Sequence, residues 1–318
     1  MKRYTDQQLE QMYEKEKENK KKAHLVVIGG FAILFCTGFP LTMICGILTR
    51  NASMGTYHMM NMMRLILMVI PAGILLFIIK NKEKIFSGGM FQFTDVLHDL
   101  LIPYCTKDVF GEDANYSKKQ GISEQMVASS HLVGSDWNRF YSNNLVEGNY
   151  LGLSFVQSDV KLVKRTTYTD SDGRTRTKNI TVFQGPWAVI DFKKQFSTNL
   201  IVRERSKNFV DKWSDGKSNV EMENVAFNEK FVVIAESDHE AFYLLTPQMM
   251  EHIMQTERRF MGKIYFCFMD GKIHIAIDNG KNCFSGISMD EGAAKARTEI
   301  YGRLSLVPEL MKQMELKD

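Results

Sequence analysis

Two apolar runs near the start of the chain give way to a long stretch in which apolar residues alternate, recur every three or four positions, and stop at turns. Residues 25–48 are 24 positions without a charge, bordered by Lys20-Lys21-Lys22 and Arg50. A helix rising about 1.5 Å per residue crosses the roughly 30 Å hydrocarbon layer in about 20 residues, so this run predicts a membrane span. A cleaved signal would have an apolar region of only about 7–15 residues. Residues 65–79 are also uncharged. They reach span length, about 59–79, if Arg64 snorkels to the interface. Pro40 and Pro71 are tolerable inside spans where neighbouring groups re-satisfy the backbone. The short polar link between the runs makes the spans antiparallel, a two-helix transmembrane hairpin within residues 23–80.

Lys15, Lys17, Lys20, Lys21 and Lys22 precede the first span and Lys80, Lys82 and Lys84 follow the second, whereas the link offers Arg50 and at most Arg64. Cationic flanks stay inside, so the cell membrane is the expected location, with both termini and the main domain cytoplasmic. Residues 1–22 predict a charged cytoplasmic helix continuous with the first span, on the spacing of Glu10 with Glu14 and Glu16 with Lys20.

From residue 85 the pattern is mixed. Phe93, Val96, Leu97, Leu100 and Leu101 predict a helix that Pro103 stops, and a second short helix is expected over residues 123–132. Leu151, Leu153 and Phe155 have one parity and Val156, Val160 and Leu162 the other, which predicts a strand bent or bulged near Phe155. Residues 166–183 read as a long exposed hairpin with its tip at Gly173, followed by strands at 186–192, 199–202 and 231–235. Residues 203–224 are polar and read as helix or loop. Ser237 with Glu240 and Ser288 with Glu291 have capping-box spacing, and Thr246-Pro247 reads as a cap followed by a first-turn proline. Asp270-Gly271 between residues 264–268 and 273–277 is a hairpin signal. The domain of residues 85–318 is therefore expected to be α+β, a mainly antiparallel sheet with flanking helices. A pleckstrin-homology-like barrel is the variant topology.

Composition narrows the function. With 44% hydrophobic and 24% charged residues the chain is a folded protein, and 40 Lys plus Arg against 37 Asp plus Glu give +3, too balanced for a protein that coats nucleic acid. Any basic function must be local. Cys36 and Cys45 fall in the first span, and Cys105, Cys267 and Cys283 are too far apart for a CxxC motif, so free thiols in a reducing compartment are expected.

Several words of sequence stand in order along the chain: Phe183-Gln184-Gly185-Pro186-Trp187-Ala188-Val189-Ile190-Asp191-Phe192-Lys193-Lys194, Asn199-Leu200-Ile201-Val202-Arg203, Phe231-Val232-Val233, Asp238-His239-Glu240-Ala241-Phe242-Tyr243-Leu244-Leu245-Thr246-Pro247 and Asp270-Gly271. With two preceding spans, this order resembles an uncharacterised bacterial membrane protein family catalogued as domain of unknown function 3137, over most of residues 80–284. The resemblance implies no reaction. It implies a membrane complex, with a LemA-type membrane protein as a partner.

Asp238-His239-Glu240 is the one cluster that invites acid-base chemistry, together with Asp191. The cap formed by Ser237 and Glu240 already explains its spelling. His252 follows His239 by thirteen residues on another predicted helix, so there is no zinc-binding HExxH pair. His274, between Ile273 and Ile275, reads as a surface or satisfied residue. Asp170, Asp172 and Gly173 lack the later ligands of a calcium loop. No nucleophile elbow, phosphate loop or dinucleotide fingerprint occurs, and no cofactor or metal is implied. Met54 to Met63 reads as lipid-facing packing. Lys161, Lys164, Arg165, Arg174, Arg176 and Lys178 cluster on the hairpin, with Lys193 and Lys194 in a nearby strand. They suit the anionic inner leaflet. Nucleic acid is not expected, since aromatic residues are not interleaved with these cations in sequence. The expected function is a membrane-anchored cytosolic interaction module that binds a protein partner or the inner leaflet. A membrane-bound hydrolase or transferase using Asp238, His239 and Asp191 is the alternative.

Overall fold

The structure, a computed structural model, describes residues 4–33, 95–169, 171–194, 196, 199–205 and 218–316, together with four isolated positions between 34 and 94. Most of the first predicted span beyond residue 33, and nearly all of the second span and of the methionine-rich stretch, lie outside the described residues. Among the described residues no helix is long and apolar enough to cross a membrane. The chain forms two compact units, residues 2–99 and 100–318.

In the first unit, α1 (Asp6–Ile33) opens on a reciprocal cap. Gln8 N donates to Thr5 Oγ1 at 3.3 Å and Thr5 N to Gln8 Oε1 at 3.0 Å, which satisfies two otherwise orphaned donors. The helix then runs without a break into the first nine residues of the apolar run. Pro103 does not stop a helix. A π-helical turn (Val96–Leu101) is followed, within the second unit, by α2 (Ile102–Phe110), and Pro103 occupies the first turn of α2, where its missing N–H costs nothing.

Among the described residues the second unit is built on one antiparallel sheet of nine strands: β1 (Asn115–Ser117), β2 (Arg139–Tyr150), β3 (Leu153–Thr169), β4 (Thr175–Asp191), β5 (Leu200–Glu204), β6 (Ser218–Val220), β7 (Phe231–Ala235), β8 (Lys263–Met269) and β9 (Lys272–Asp278). The order is β1-β2-β3-β4-β9-β8-β5-β7-β6. With short strands at both ends and no pairing between them among the described residues, the sheet is open, and the barrel variant does not form. Six further helices lie among its described residues: α3 (Glu124–Ser129), α4 (Val225–Lys230), α5 (Asp238–Leu244), α6 (Pro247–Arg259), α7 (Ala293–Leu304) and α8 (Leu306–Gln313).

Local signals account for several of these boundaries. Asp270 and Gly271 both have positive φ, 51° and 68°, which closes the β8–β9 hairpin with the twist its strands need. Ser123, Ser237 and Thr246 accept from the N–H three residues on and start α3, α5 and α6. Ser288 instead bonds Asp290 in a local turn, and α7 starts only at Ala293, after Gly292 at φ 100°. Gly302 stays inside α7, and Pro308 falls in the first turns of α8.

The change of parity along residues 151–162 has a different cause from a bend. β3 pairs with β4 without a shift from Phe155 to Leu162, and the sheet is covered on both faces there. One face carries Val160, Leu162, Phe183 and Trp187, clustered with Val127 of α3 and with Leu132 and Val133. On the other face Phe155 packs on Phe110 of α2, ring centroids 4.6 Å apart. The irregularities lie in the neighbouring strands, between Asn143 and Val146 of β2 and at Val182 of β4. β4 is also a single strand where the sequence predicts two. Pro186 interrupts nothing, because β9 pairs with β4 only from Trp187 onward.

Candidate functional site

β3 and β4 outrun the sheet. β2 pairs with β3 only as far as Val163 and β9 pairs with β4 only over Trp187 to Asp191, so residues 164–169 and 175–180 continue as a two-stranded ribbon with both edges open. At about 3.3 Å per residue this arm extends roughly 20 Å beyond the last three-stranded row. Residues directly opposite share a face. The registers Lys164↔Ile180, Thr166↔Lys178 and Tyr168↔Arg176 therefore put three cations, a tyrosine and an isoleucine on one face. The other carries Arg165↔Asn179, Thr167↔Thr177 and Thr169↔Thr175. Tyr168 and Ile180 are 50% and 43% exposed.

Tertiary contacts hold the base of the arm. Lys164 Nζ lies 2.6 Å from Asp136 Oδ1. Asn138 clasps the backbone of Arg165, donating from Nδ2 to its carbonyl and accepting its N–H on Oδ1, both at 2.9 Å. Lys161 is half-buried in the sheet, opposite Tyr141 and Gln184. Lys193 and Lys194 do not join the group: they follow the far end of β4, about 50 Å along the strand from the tip. Lys194 there lies over the ring of Tyr243, 5.4 Å from its centroid.

The candidate acid-base residues have separate hydrogen-bond surroundings. Asp191, at the end of β4, accepts from Lys272 Nζ at 2.7 Å and from Ser154 N at 3.3 Å. Burial alone would raise its carboxyl, but those two donors outweigh it and hold the group below the usual carboxylate range. Asp238 and His239 are exposed on the first turn of α5. Among the described residues no hydrogen bond or ion pair joins either of them to Asp191. A surface depression lined by Tyr150, Leu151, Pro308, Met311, Lys312 and Glu315 contains none of the three. Among the described residues no three His, Cys, Asp or Glu side chains converge as a metal site.

The most developed polar cluster is one that sequence patterning does not reveal. Asp159, 2% exposed on β3, accepts from Cys283 N on Oδ1 at 2.6 Å and from Asn144 Nδ2 on Oδ2 at 2.7 Å. Asn144, at φ 55° in the β2 bulge, in turn accepts from the Tyr116 hydroxyl at 2.9 Å. Burial pushes the Asp159 carboxyl up, against the two hydrogen bonds that favour its charged form. Gln157 Nε2 donates to Cys283 Sγ at 3.5 Å, and burial together with the Asp159 carboxylate drives that thiol far above its ordinary value. A thiol kept protonated is a poor nucleophile. The cluster ties the segment after β9 to the bulged end of the sheet. The only signal in sequence was Asn143-Asn144, whose amide side chains tolerate a left-handed bulge.

Residues 181–316 match the family model described as "Protein of unknown function (DUF3137)". The chain resembles that family. The DUF3137 stretch takes in β4 from Thr181, the α5 and α6 caps, the β8–β9 hairpin and α8, while β1 to β3 lie before it. No curated protein matches the chain. A solved structure, "crystal structure of the mycobacterial trehalose monomycolate transport factor A, TtfA", aligns at 9% identity over 70% of this chain and 97% of its own, with a TM-score of 0.35.

Within the DUF3137 stretch, His274 is a satisfied core residue. It is 3% exposed beside Trp187, whose indole N–H donates to His274 Nδ1 at 3.4 Å. Burial, helped by the nearby Lys272 charge, pulls the imidazole down from 6.5 to about 4. Above pH 6.5 both folded and unfolded imidazoles are neutral. Between about 6.5 and 4 the unfolded chain takes up a proton that the folded chain refuses, so stability falls as the pH falls, by about 3 kcal/mol in all. Raised carboxyls at Asp159, Glu204 and Asp278 act in the opposite sense in acid, which makes the comparison with a variant the informative one. His274→Gln keeps an acceptor for Trp187 and removes the titration. Its denaturation free energy should fall less than that of the wild type between pH 7 and pH 4.5, and parallel curves would refute the assignment.

Proposed function

We propose that the chain is a membrane-anchored interaction module. Two antiparallel spans within residues 23–80 hold it in the cell membrane, both termini and the unit of residues 100–318 face the cytoplasm, and the ribbon meets the target. The observation that carries this reading is the ribbon itself: it builds no part of the two-sided core, yet it gathers cations, Tyr168 and Ile180 on one face. The anchor is supported by the uncharged run of residues 25–48 between lysine and arginine borders, and by the continuity of α1 into its start. The hydrolase or transferase alternative finds less support, because Asp191 is engaged by Lys272 and Ser154 while Asp238 and His239 sit on an exposed helix turn. The DUF3137 resemblance adds a LemA-type membrane protein as a partner to be sought by co-purification.

Cys267 and Cys283 are buried and would not report sidedness, so the test uses an added cysteine at Ser171 on the exposed tip of the arm. The chain should stay in the membrane fraction through carbonate extraction. The Ser171→Cys thiol should react with a membrane-impermeant maleimide only after the cells are permeabilised. Labelling in intact cells, or release of the chain by carbonate, would sink the proposal.

A further inference from the structure

We infer that the ribbon face carrying Lys164, Thr166, Tyr168, Arg176, Lys178 and Ile180 lies against the phosphate layer of an anionic bilayer, while the opposite face stays in water. The inference relies on the proposed anchor for proximity to lipid, but its chemistry is independent of it. From Lys164 to Ile180 the arm and its tip hold five cations against Asp170 and Asp172, a local charge of +3, equal to that of the whole chain. The arm is thus locally basic in a nearly balanced protein. Attraction of such a segment to anionic headgroups falls off within a Debye length, so it acts where a tether keeps the arm close.

The two faces differ in kind. Lys178 is central on the first, with Tyr168 and Arg176 toward the tip, Ile180 toward the base, and Lys164 ion-paired with Asp136. Tyrosine favours the headgroup level, isoleucine gains by entering the layer beneath it, and long cationic stems let the charge stay at the phosphates. The second face offers Arg165, threonines and Asn179, with no large apolar side chain. A nucleic-acid backbone would give Ile180 no apolar layer to enter, so lipid fits the face better.

The test uses the full-length chain reconstituted in vesicles of phosphatidylcholine, with or without phosphatidylglycerol. A polarity-sensitive fluorophore is attached at Thr166→Cys, on the inferred contact face, or at Thr167→Cys, on the other. With spin-labelled lipid as quencher, the label at position 166 should be quenched several-fold more than that at 167, only in vesicles containing phosphatidylglycerol. Arg176→Glu with Lys178→Glu should abolish the difference. Equal quenching at both positions, no quenching in anionic vesicles, or a response to a duplex DNA fragment in place of lipid would overturn the inference. Flotation separates the two proposals. A chain that floats with neutral vesicles while both labels stay silent in anionic ones keeps the anchor and loses this face. A chain that fails to float with neutral vesicles, yet shows the quenching difference with anionic ones, keeps this face and loses the anchor.

Discussion

Replacing Gly185 by alanine is expected to destabilise the folded unit by about 3 kcal/mol, the upper part of the range for forced overpacking. A Cβ built on Gly185 would stand 2.0 Å from the carbonyl oxygen of Ile277 and 3.1 Å from Asn279 Oδ1. The first obstacle is backbone and cannot swing aside. β4 is also fastened on both sides of the glycine: Gln184 N donates to Asp278 Oδ1 at 3.1 Å, Gly280 N donates to the Gln184 carbonyl at 2.9 Å, and Trp187 opens the β9 ladder. Relief therefore requires the end of β9 to move away. For a unit of this size the loss corresponds to a fall on the order of 10 °C in Tm. Thermal unfolding of the purified chain, followed by circular dichroism, checks it. A variant that melts with the wild type would show that the close approach at Gly185 is not tight.

Asp159→Ala is the second large effect. It strips the acceptor from Cys283 N and from Asn144 Nδ2 in a place closed to water, and each orphaned buried donor costs about 1–3 kcal/mol. A loss of about 3 kcal/mol is expected, with the Cys283 amide losing protection from hydrogen exchange. Asp159→Asn keeps one acceptor oxygen and should cost about half as much. The sign with pH is opposite to that of His274. Burial raises the Asp159 carboxyl in the folded state, so the wild type gains stability as the pH falls through that raised value toward the ordinary 3.8. The asparagine variant should lack that gain. Unchanged protection of Cys283 in the alanine variant would show that the carboxylate does not hold the segment.

Legibility in the sequence followed the range of the interaction. Caps and turns act over three or four residues, so Ser123, Ser237, Thr246 and Asp270-Gly271 could be read directly. Ser288 and Glu291 had the same spelling and failed: the Ser288 hydroxyl donates to the Asp290 carboxylate and accepts from Asp290 N in a local turn, and the chain passes through Gly292 at positive φ before α7 starts. β2 escaped notice. Its polar Asn143-Asn144 and Glu147-Gly148-Asn149 suppress the alternation, and its bulge makes sense only once Asp159 is behind it. His274 could not be recognised as buried from its own strand, since flanking isoleucines imply one covered face and the sheet has two. The basic arm was visible as a charge cluster, but the pairing of Tyr168 with Arg176 and the exclusion of Lys193 and Lys194 needed the register of a strand 17 residues long.

By itself the sequence determined the α+β class, the β-hairpins, the starts of α3, α5 and α6 and the place where the charge accumulates, all of which rest on neighbours a few residues apart. Only the tertiary structure decided that the described strands lie in one open sheet, that Asp191 is engaged by Lys272 and Ser154, and that Asp159 anchors the segment around Cys283. Those outcomes turn on which distant backbones meet and which polar groups lose water, and no local pattern of residues carries that information.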